Sequence, residues 1–208
     1  KEILELFTTY NNLRSEEEFN EIKSKIQKAC REGDLEMIKI FLSETIEDST
    51  NTLKFKIDKA NQTASLFGVK KEVEELNIPR TVEHESTEYL ITSIISTWNG
   101  VKTIKFFKDS AVNTFYNDAF SNSDIEEVYF PSSLKELKEG WCDGAKKLNK
   151  IIISPLNSQF EFKEGKYLVC KSEANKNEFD KLLFVRNGIT NFSIPSNIKI
   201  ISSFAFSH

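Results

Sequence analysis

The feature of this chain that most constrains its fold is a recurring pattern: apolar, two residues, apolar, one residue, apolar, proline. It is met as Val73-x-x-Leu76-x-Ile78-Pro79, Ile125-x-x-Val128-x-Phe130-Pro131 and Ile189-x-x-Phe192-x-Ile194-Pro195, and as Leu148-x-x-Ile151-x-Ile153 with Pro155 displaced by one. A fifth instance, Val101-x-x-Ile104-x-Phe106-Phe107, has phenylalanine in place of proline. All four prolines of the protein therefore sit at or beside one repeat position. Proline has no amide to donate to a neighbouring strand and fixes its own φ, so each instance reads as a short strand that ends in a turn.

The starts at 73, 101, 125, 148 and 189 are spaced 28, 24, 23 and 41. A unit of 23 to 24 residues thus carries one insertion in the first gap and a longer one in the fourth. The register continues past the proline. Leu134 and Leu137 follow Ile125 at nine and twelve, as Ile198 and Ile201 follow Ile189. A third slot closes the units at Ala119-Phe120, Trp141-Cys142 and Ala205-Phe206. No such unit can hide its apolar residues until a neighbour stacks on it, so the pattern predicts a right-handed coil with a parallel sheet. The 17 phenylalanines, against one methionine and two tryptophans, fit many similar core positions.

Two further elements are legible by alternation. Leu53-Lys-Phe55-Lys-Ile57 and Thr63-Ala-Ser-Leu66-Phe67 form a hairpin about Asp58 to Gln62, and the 41-residue gap holds Phe160 to Phe162, Tyr167 to Cys170 and Leu182 to Val185 around a Glu164-Gly165 turn. Together with the repeats, these resemble the BspA-like leucine-rich repeat family, whose signature runs apolar-x-x-I-x-I-P, then V-x-x-I, then A-F. The resemblance covers Leu53 to His208. It implies an opening hairpin that caps the edge of the sheet and a hairpin insertion that begins at an Asn and a Phe, here Asn157-x-x-Phe160. Cys142 departs from the family's phenylalanine and predicts a smaller core residue there. His208 falls nineteen residues after Ile189, short of a whole unit, which predicts further repeats beyond it.

Ahead of the repeats, Phe19, Ile22, Ile26 and Ala29, then Leu35, Ile38, Phe41 and Leu42, recur at three and four and place each group on one helix face. Lys1 to Leu13 also reads as helix. Ser15 with Glu18 forms a capping box, and Gly33-Asp34 supplies a stop and a fresh N-cap. The stretch Ala29 to Leu42 looks like the helical half of an ankyrin repeat, but a single such unit cannot bury its own face. The expected role is a helical cap. The predicted architecture is thus α+β: a helical N-terminal segment over residues 1–50, followed over 51–208 by a leucine-rich-repeat β-solenoid with a capping hairpin at 53–67 and an insertion at 157–186.

The chemistry is sparse. With 28 basic and 32 acidic residues interleaved, net charge −4, the chain shows no footprint for nucleic acid. No run is long and apolar enough to insert in a membrane, and no signal peptide is evident at the start. Cys30, Cys142 and Cys170 are too scattered for a disulfide framework or zinc site. His84 has no catalytic partner by spacing, and Cys142 reads as a core thiol rather than a nucleophile. No metal, cofactor or enzymatic activity is expected. Two sequons, Asn61-Gln-Thr63 and Asn191-Phe-Ser193, matter only in a secreted protein, and the second falls within a predicted strand.

What remains is surface. Alternation along each rung turns outward Glu75 and Asn77, Thr103 and Lys105, Glu127 and Tyr129, Lys150 and Ile152, and Asn191 and Ser193. This ladder is the predicted binding face, with Tyr129, Ile152 and the lysines as anchors and a protein as partner; a homo-oligomer is left open. The resemblance implies adhesion or surface-antigen roles at the cell surface. The alternative is a cytoplasmic scaffold that uses the helical segment and the repeats for different partners.

Overall fold

The computed structural model describes residues 16–98 and 100–207. The capping box at Ser15 and the helix over Lys1 to Leu13 lie outside the described residues. Helix α1 runs Glu16–Glu32 and α2 Leu35–Leu42. Between them Gly33 takes φ +71°. The Asp34 side chain accepts the Met37 amide at 2.9 Å, so the stop and the cap arise where the dipeptide predicts them. Leu35, counted with the apolar face, is exposed.

Everything after Leu42 is strand and turn, so the described chain is predominantly β, with both helices at its start. The strands are β1 Glu44–Glu47, β2 Leu53–Asp58, β3 Thr63–Val69, β4 Glu75–Ile78, β5 Thr81–His84, β6 Thr87–Thr97, β7 Thr103–Phe106, β8 Thr114–Phe115, β9 Glu127–Phe130, β10 Glu136–Leu137, β11 Lys150–Ile153, β12 Phe160–Lys163, β13 Tyr167–Cys170, β14 Lys181–Val185 and β15 Ile200–Ile201. Strand β1 falls in the stretch read as helical and pairs antiparallel with β2.

Four of the five predicted rungs form one parallel sheet, in the order β11-β9-β7-β4. Leu76 pairs with Ile104, Ile104 with Val128, and Val128 with Ile151, so like repeat positions sit side by side. Each rung opens with one carbonyl shared by two amides of the next. Glu74 accepts Lys102 and Thr103 at 2.8 and 2.9 Å, Lys102 accepts Glu126 and Glu127 at 2.8 and 3.0 Å, and Glu126 accepts Asn149 and Lys150 at 3.0 and 3.1 Å.

A second sheet, β1-β2-β3-β6-β8-β10 with β5 also on β6, is built partly from the next slot of each unit. Ile94, Phe115 and Leu137 lie in parallel register there. The hairpin β2–β3 lies in this second sheet, between β1 and β6, and adds no strand to the edge of β4. The first gap, between 73 and 101, holds a hairpin, β5–β6, turning on Glu85 and Ser86, both at positive φ. Five of the seven residues from Ile91 to Thr97 are β-branched, which favours a strand there.

Between the two sheets runs a column of rings. Phe115 meets Phe106, Phe120, Phe130 and Trp141 with centroids 5.0–6.4 Å apart, and Phe130 passes the contact on to Phe160 at 5.6 Å. Burying one such ring stabilises by about 1.5–3 kcal/mol. Trp141 supplies the bulk that Cys142 lacks, reaching Phe120, Phe130 and Phe184. The turn stays regular: the Phe120 amide donates to the Trp141 carbonyl at 2.6 Å and Asn122 to Asp143 at 3.0 Å. Gly144, at φ +70°, is required there, since a Cβ would lie 2.5 Å from Asn122 Oδ1.

The helices pack on the outer face of the second sheet, where Ile22, Ile26, Ala29, Met37, Ile38 and Phe41 close over Phe67, Ile95 and Tyr116. Lys56, buried on β2, donates from Nζ to the carbonyls of Phe41 at 2.9 Å and Ser43 at 3.1 Å. A cation thus sits at the negative end of α2.

The insertion forms a third sheet, β12-β13-β14-β15. Asn157 ties its start to the repeats. Its Nδ2 donates to the carbonyls of Pro131 and Leu134, both at 2.9 Å, while Oδ1 accepts the amides of Gln159 at 2.9 Å and Phe160 at 3.3 Å. The fifth predicted rung does not join the parallel sheet. The insertion carries the chain away from β11, so Ile189 and Phe192 arrive against Tyr167 and Val169 instead, with Phe192 and Tyr167 centroids 5.2 Å apart. Residues 189–194 form no strand, and Ile194, expected in the core, is 47% exposed.

Candidate functional site

The outer face of the parallel sheet presents two outward side chains from each of its four rungs. Glu75, Asn77 and Lys150 are exposed; Thr103, Lys105, Glu127, Tyr129 and Ile152 are half-buried. Parallel pairing sets Asn77 beside Lys105, Glu127 beside Lys150, and Tyr129 beside Ile152. Eight of the ten predicted ladder residues are therefore brought together. Asn191 and Ser193 are not: both are exposed on the unpaired segment before Pro195, for the reason given above. The sequon at Asn191 accordingly lies outside any strand. Asn61 is exposed in the β2–β3 turn, its Nδ2 donating to Asp58 Oδ2 at 2.7 Å.

Six of the eight side chains are linked crosswise. Lys105 Nζ lies 2.8 Å from Glu75 Oε2 and 5.5 Å from the Tyr129 ring centroid, and Lys150 Nζ lies 3.0 Å from Glu127 Oε2. Asn77 Nδ2 donates to Glu75 Oε1 at 3.3 Å. The hydrogen bond from Lys105 holds the Glu75 carboxyl below its ordinary value, and that same bond raises Lys105. Burial alone would raise Glu127, but hydrogen bonds from Tyr129 and Lys150 outweigh it and lower the carboxyl. Accepting that bond, Glu127 pushes the Tyr129 phenol up. Each of the two glutamates thus faces a lysine. The face is electrically balanced, and its one aromatic and one aliphatic side chain are neighbours.

The residues considered for catalysis are placed otherwise. His84 stands at the tip of the β5–β6 hairpin with Nε2 3.4 Å from Glu44 Oε1 and 3.9 Å from Glu85 Oε1. Cys142 is buried beside Asp143, and burial first, then that carboxylate, pushes its thiol well above the ordinary range. A thiol so held is a poor nucleophile. Among the described residues no group of three or more His, Cys, Asp and Glu is arranged to hold a metal ion. No described helix is long and apolar enough to cross a membrane.

A second surface lies on the helical side. A cleft of about 520 Å³ runs between α1, α2 and the turns at Trp98 and Asn117 to Ser123. Met37, Phe41 and Ile95 contribute to its apolar lining, and a Lys28–Asp118 ion pair bridges its walls. It arises only when the helices meet loops far off in sequence, so no local pattern announces it.

No protein-family model matches the chain, and no curated protein matches it. Solved structures do. The solved structures it resembles are leucine-rich repeat proteins. The pneumococcal vaccine antigen PcpA is 14% identical, over 79% of this chain and 62% of that one, with a TM-score of 0.39. A leucine-rich cell surface protein from Faecalibacterium prausnitzii is 12% identical, over 74% of this chain and 65% of its own, at 0.35. A leucine-rich repeat protein from Eubacterium ventriosum is 16% identical, over 79% and 57%, at 0.42. The chain spans about three fifths of the length of these structures.

Proposed function

We propose that the chain is a leucine-rich-repeat solenoid without catalytic activity, and that it binds a protein partner through the outer face of its parallel sheet. The observation that carries this reading is the array of eight outward side chains on four rungs in register, none of them fully buried. Rigid, laterally repeated strands hold such side chains in fixed positions, so a partner pays little to order them. Tyr129 and Ile152 offer a desolvatable patch at the β9–β11 end of the face, and the paired charges beside it supply its polar part. In this reading the N-terminal segment over residues 1–50 caps the repeat domain over 51–208, which includes the capping hairpin at 53–67 and the insertion at 157–186.

Affinity capture from a surface-protein fraction and from cell lysate, with the wild-type chain beside a Lys105→Glu, Tyr129→Ala, Lys150→Glu variant, tests the assignment. A partner retained by the wild type and lost from a folded variant supports the ladder. Equal capture by both overturns it.

A second reading, an adaptor that engages another partner on its helical side, is favoured by the cleft against Met37, Phe41 and Ile95. A Lys28→Glu variant that loses a partner which the ladder variant keeps would separate the two surfaces.

A further inference from the structure

Between the insertion and the last unit the chain makes one exposed turn, Asn187-Gly188. Both sides of it are pinned. The Val185 amide donates to the Ala205 carbonyl and the Arg186 amide to the Lys166 carbonyl, each at 2.7 Å, and Ile189 is half-buried against the third sheet. The turn itself is held loosely. The Gly188 amide donates to Asn187 Oδ1 at 2.8 Å, and Asn187 Nδ2 reaches the Lys146 carbonyl at 3.3 Å. Gly188 has φ +79°, and a Cβ built on it would meet nothing within 4 Å.

We propose that Asn187 is a site of spontaneous deamidation in the folded protein. The backbone nitrogen of Gly188 lies 2.8 Å from the oxygen of the side-chain carbonyl whose carbon it must attack, no side chain on Gly188 obstructs the approach, and both residues are exposed to water. Hydroxide or another solvent base removes the Gly188 amide proton. The nitrogen then forms a bond to Asn187 Cγ while the Cγ–Nδ2 bond breaks, and Nδ2 leaves as ammonia after taking a proton from solvent. Water opens the resulting five-membered imide at one of its two carbonyls. Opening at Cγ gives aspartate; opening at the main-chain carbonyl gives isoaspartate, with the backbone now routed through the side chain. No electron acceptor or donor is needed. Either product replaces a neutral amide beside the Lys146 carbonyl with a carboxylate, and the second lengthens the backbone between β14 and the last unit by one carbon.

The test is timed incubation of the full chain in mildly alkaline buffer, folded and in denaturant, followed by peptide mapping by mass spectrometry with enzymatic methylation to detect isoaspartate. Asn187 in the folded chain is expected to convert within about tenfold of its rate in the unfolded chain, because no costly opening precedes the attack. Asn187→Gln, whose longer side chain must close a larger ring, is expected to abolish the product. Protection of Asn187 by more than about tenfold on folding overturns the proposal, as does isoaspartate at that peptide in the Gln variant.

Discussion

Asp180 takes in the last unit the place that Asn113 holds in an earlier one. The Asn113 carbonyl accepts the amides of Lys135 and Glu136 at 2.9 and 3.0 Å; the Asp180 carbonyl accepts those of Lys199 and Ile200 at 2.8 and 3.1 Å. The bond two residues on repeats as well, Lys138 to Phe115 and Ser202 to Leu182. Strand β14 of the insertion therefore serves the last unit as β8 serves β10.

The Asp180 side chain has its own task. Buried, it accepts the Ser172 amide at 2.8 Å, the Ser172 hydroxyl at 2.9 Å and Lys176 Nζ at 3.0 Å. The backbone bond first, then the lysine, hold its carboxyl well below the usual carboxylate range. Between the folded and unfolded values the unfolded chain binds more protons, so this contribution is present above the ordinary carboxylate pKa and is lost as pH falls through the depressed one. Thermal midpoints measured against pH should decline below about pH 4. Asp180→Asn should lower the midpoint at neutral pH and flatten part of that decline.

Asn157 offers a sharper test of how the insertion is joined. Its Nδ2 serves two repeat carbonyls, and its Oδ1 serves two amides at the start of the insertion. Asn157→Ala should cost about 2–3 kcal/mol in urea denaturation, because half-buried backbone groups lose their partner. Asn157→Asp should keep the accepting half and lose the donating half, and so fall between the two.

Phe115 is the hub of the ring column, fully buried among Phe106, Phe120, Phe130 and Trp141. Phe115→Ala should destabilise by about 3–5 kcal/mol and Phe115→Leu by less, read from denaturant midpoints. A comparable truncation at exposed Phe107 should change little.

Thiol titration checks the core differently. Cys30 is exposed, while Cys142 and Cys170 are buried and carry no disulfide. Burial pushes Cys170 up to about 11 and Cys142 well above its ordinary value. An aromatic disulfide reagent at slightly alkaline pH should label one thiol rapidly and all three only in denaturant.

How much was legible before the structure follows from what each pattern depends on. The rungs at Leu76, Ile104, Val128 and Ile151 were legible because each strand repeats a local grammar that proline terminates. The fifth, through Phe192, shared that grammar and failed, since pairing needs an adjacent free edge and the insertion had moved the chain elsewhere. Asn191 and Ser193 left the predicted face with it. The β5–β6 hairpin was missed because Glu85-Ser86 lacks the glycine that usually marks such a turn. Lys56 could not have been foreseen as a cap for α2: the residues that accept its protons lie thirteen and fifteen positions back in the chain.

The crosswise pairing of Glu75 with Lys105 and of Glu127 with Lys150 bears on how fast anything could bind there. Opposite charges so close together cancel within a few ångströms of the surface, and little field reaches an approaching molecule. Capture at this face would depend on chance orientation, with association rates of about 10⁵–10⁶ M⁻¹s⁻¹ and little sensitivity to salt. Such a partner would owe its affinity to slow departure from Tyr129 and Ile152.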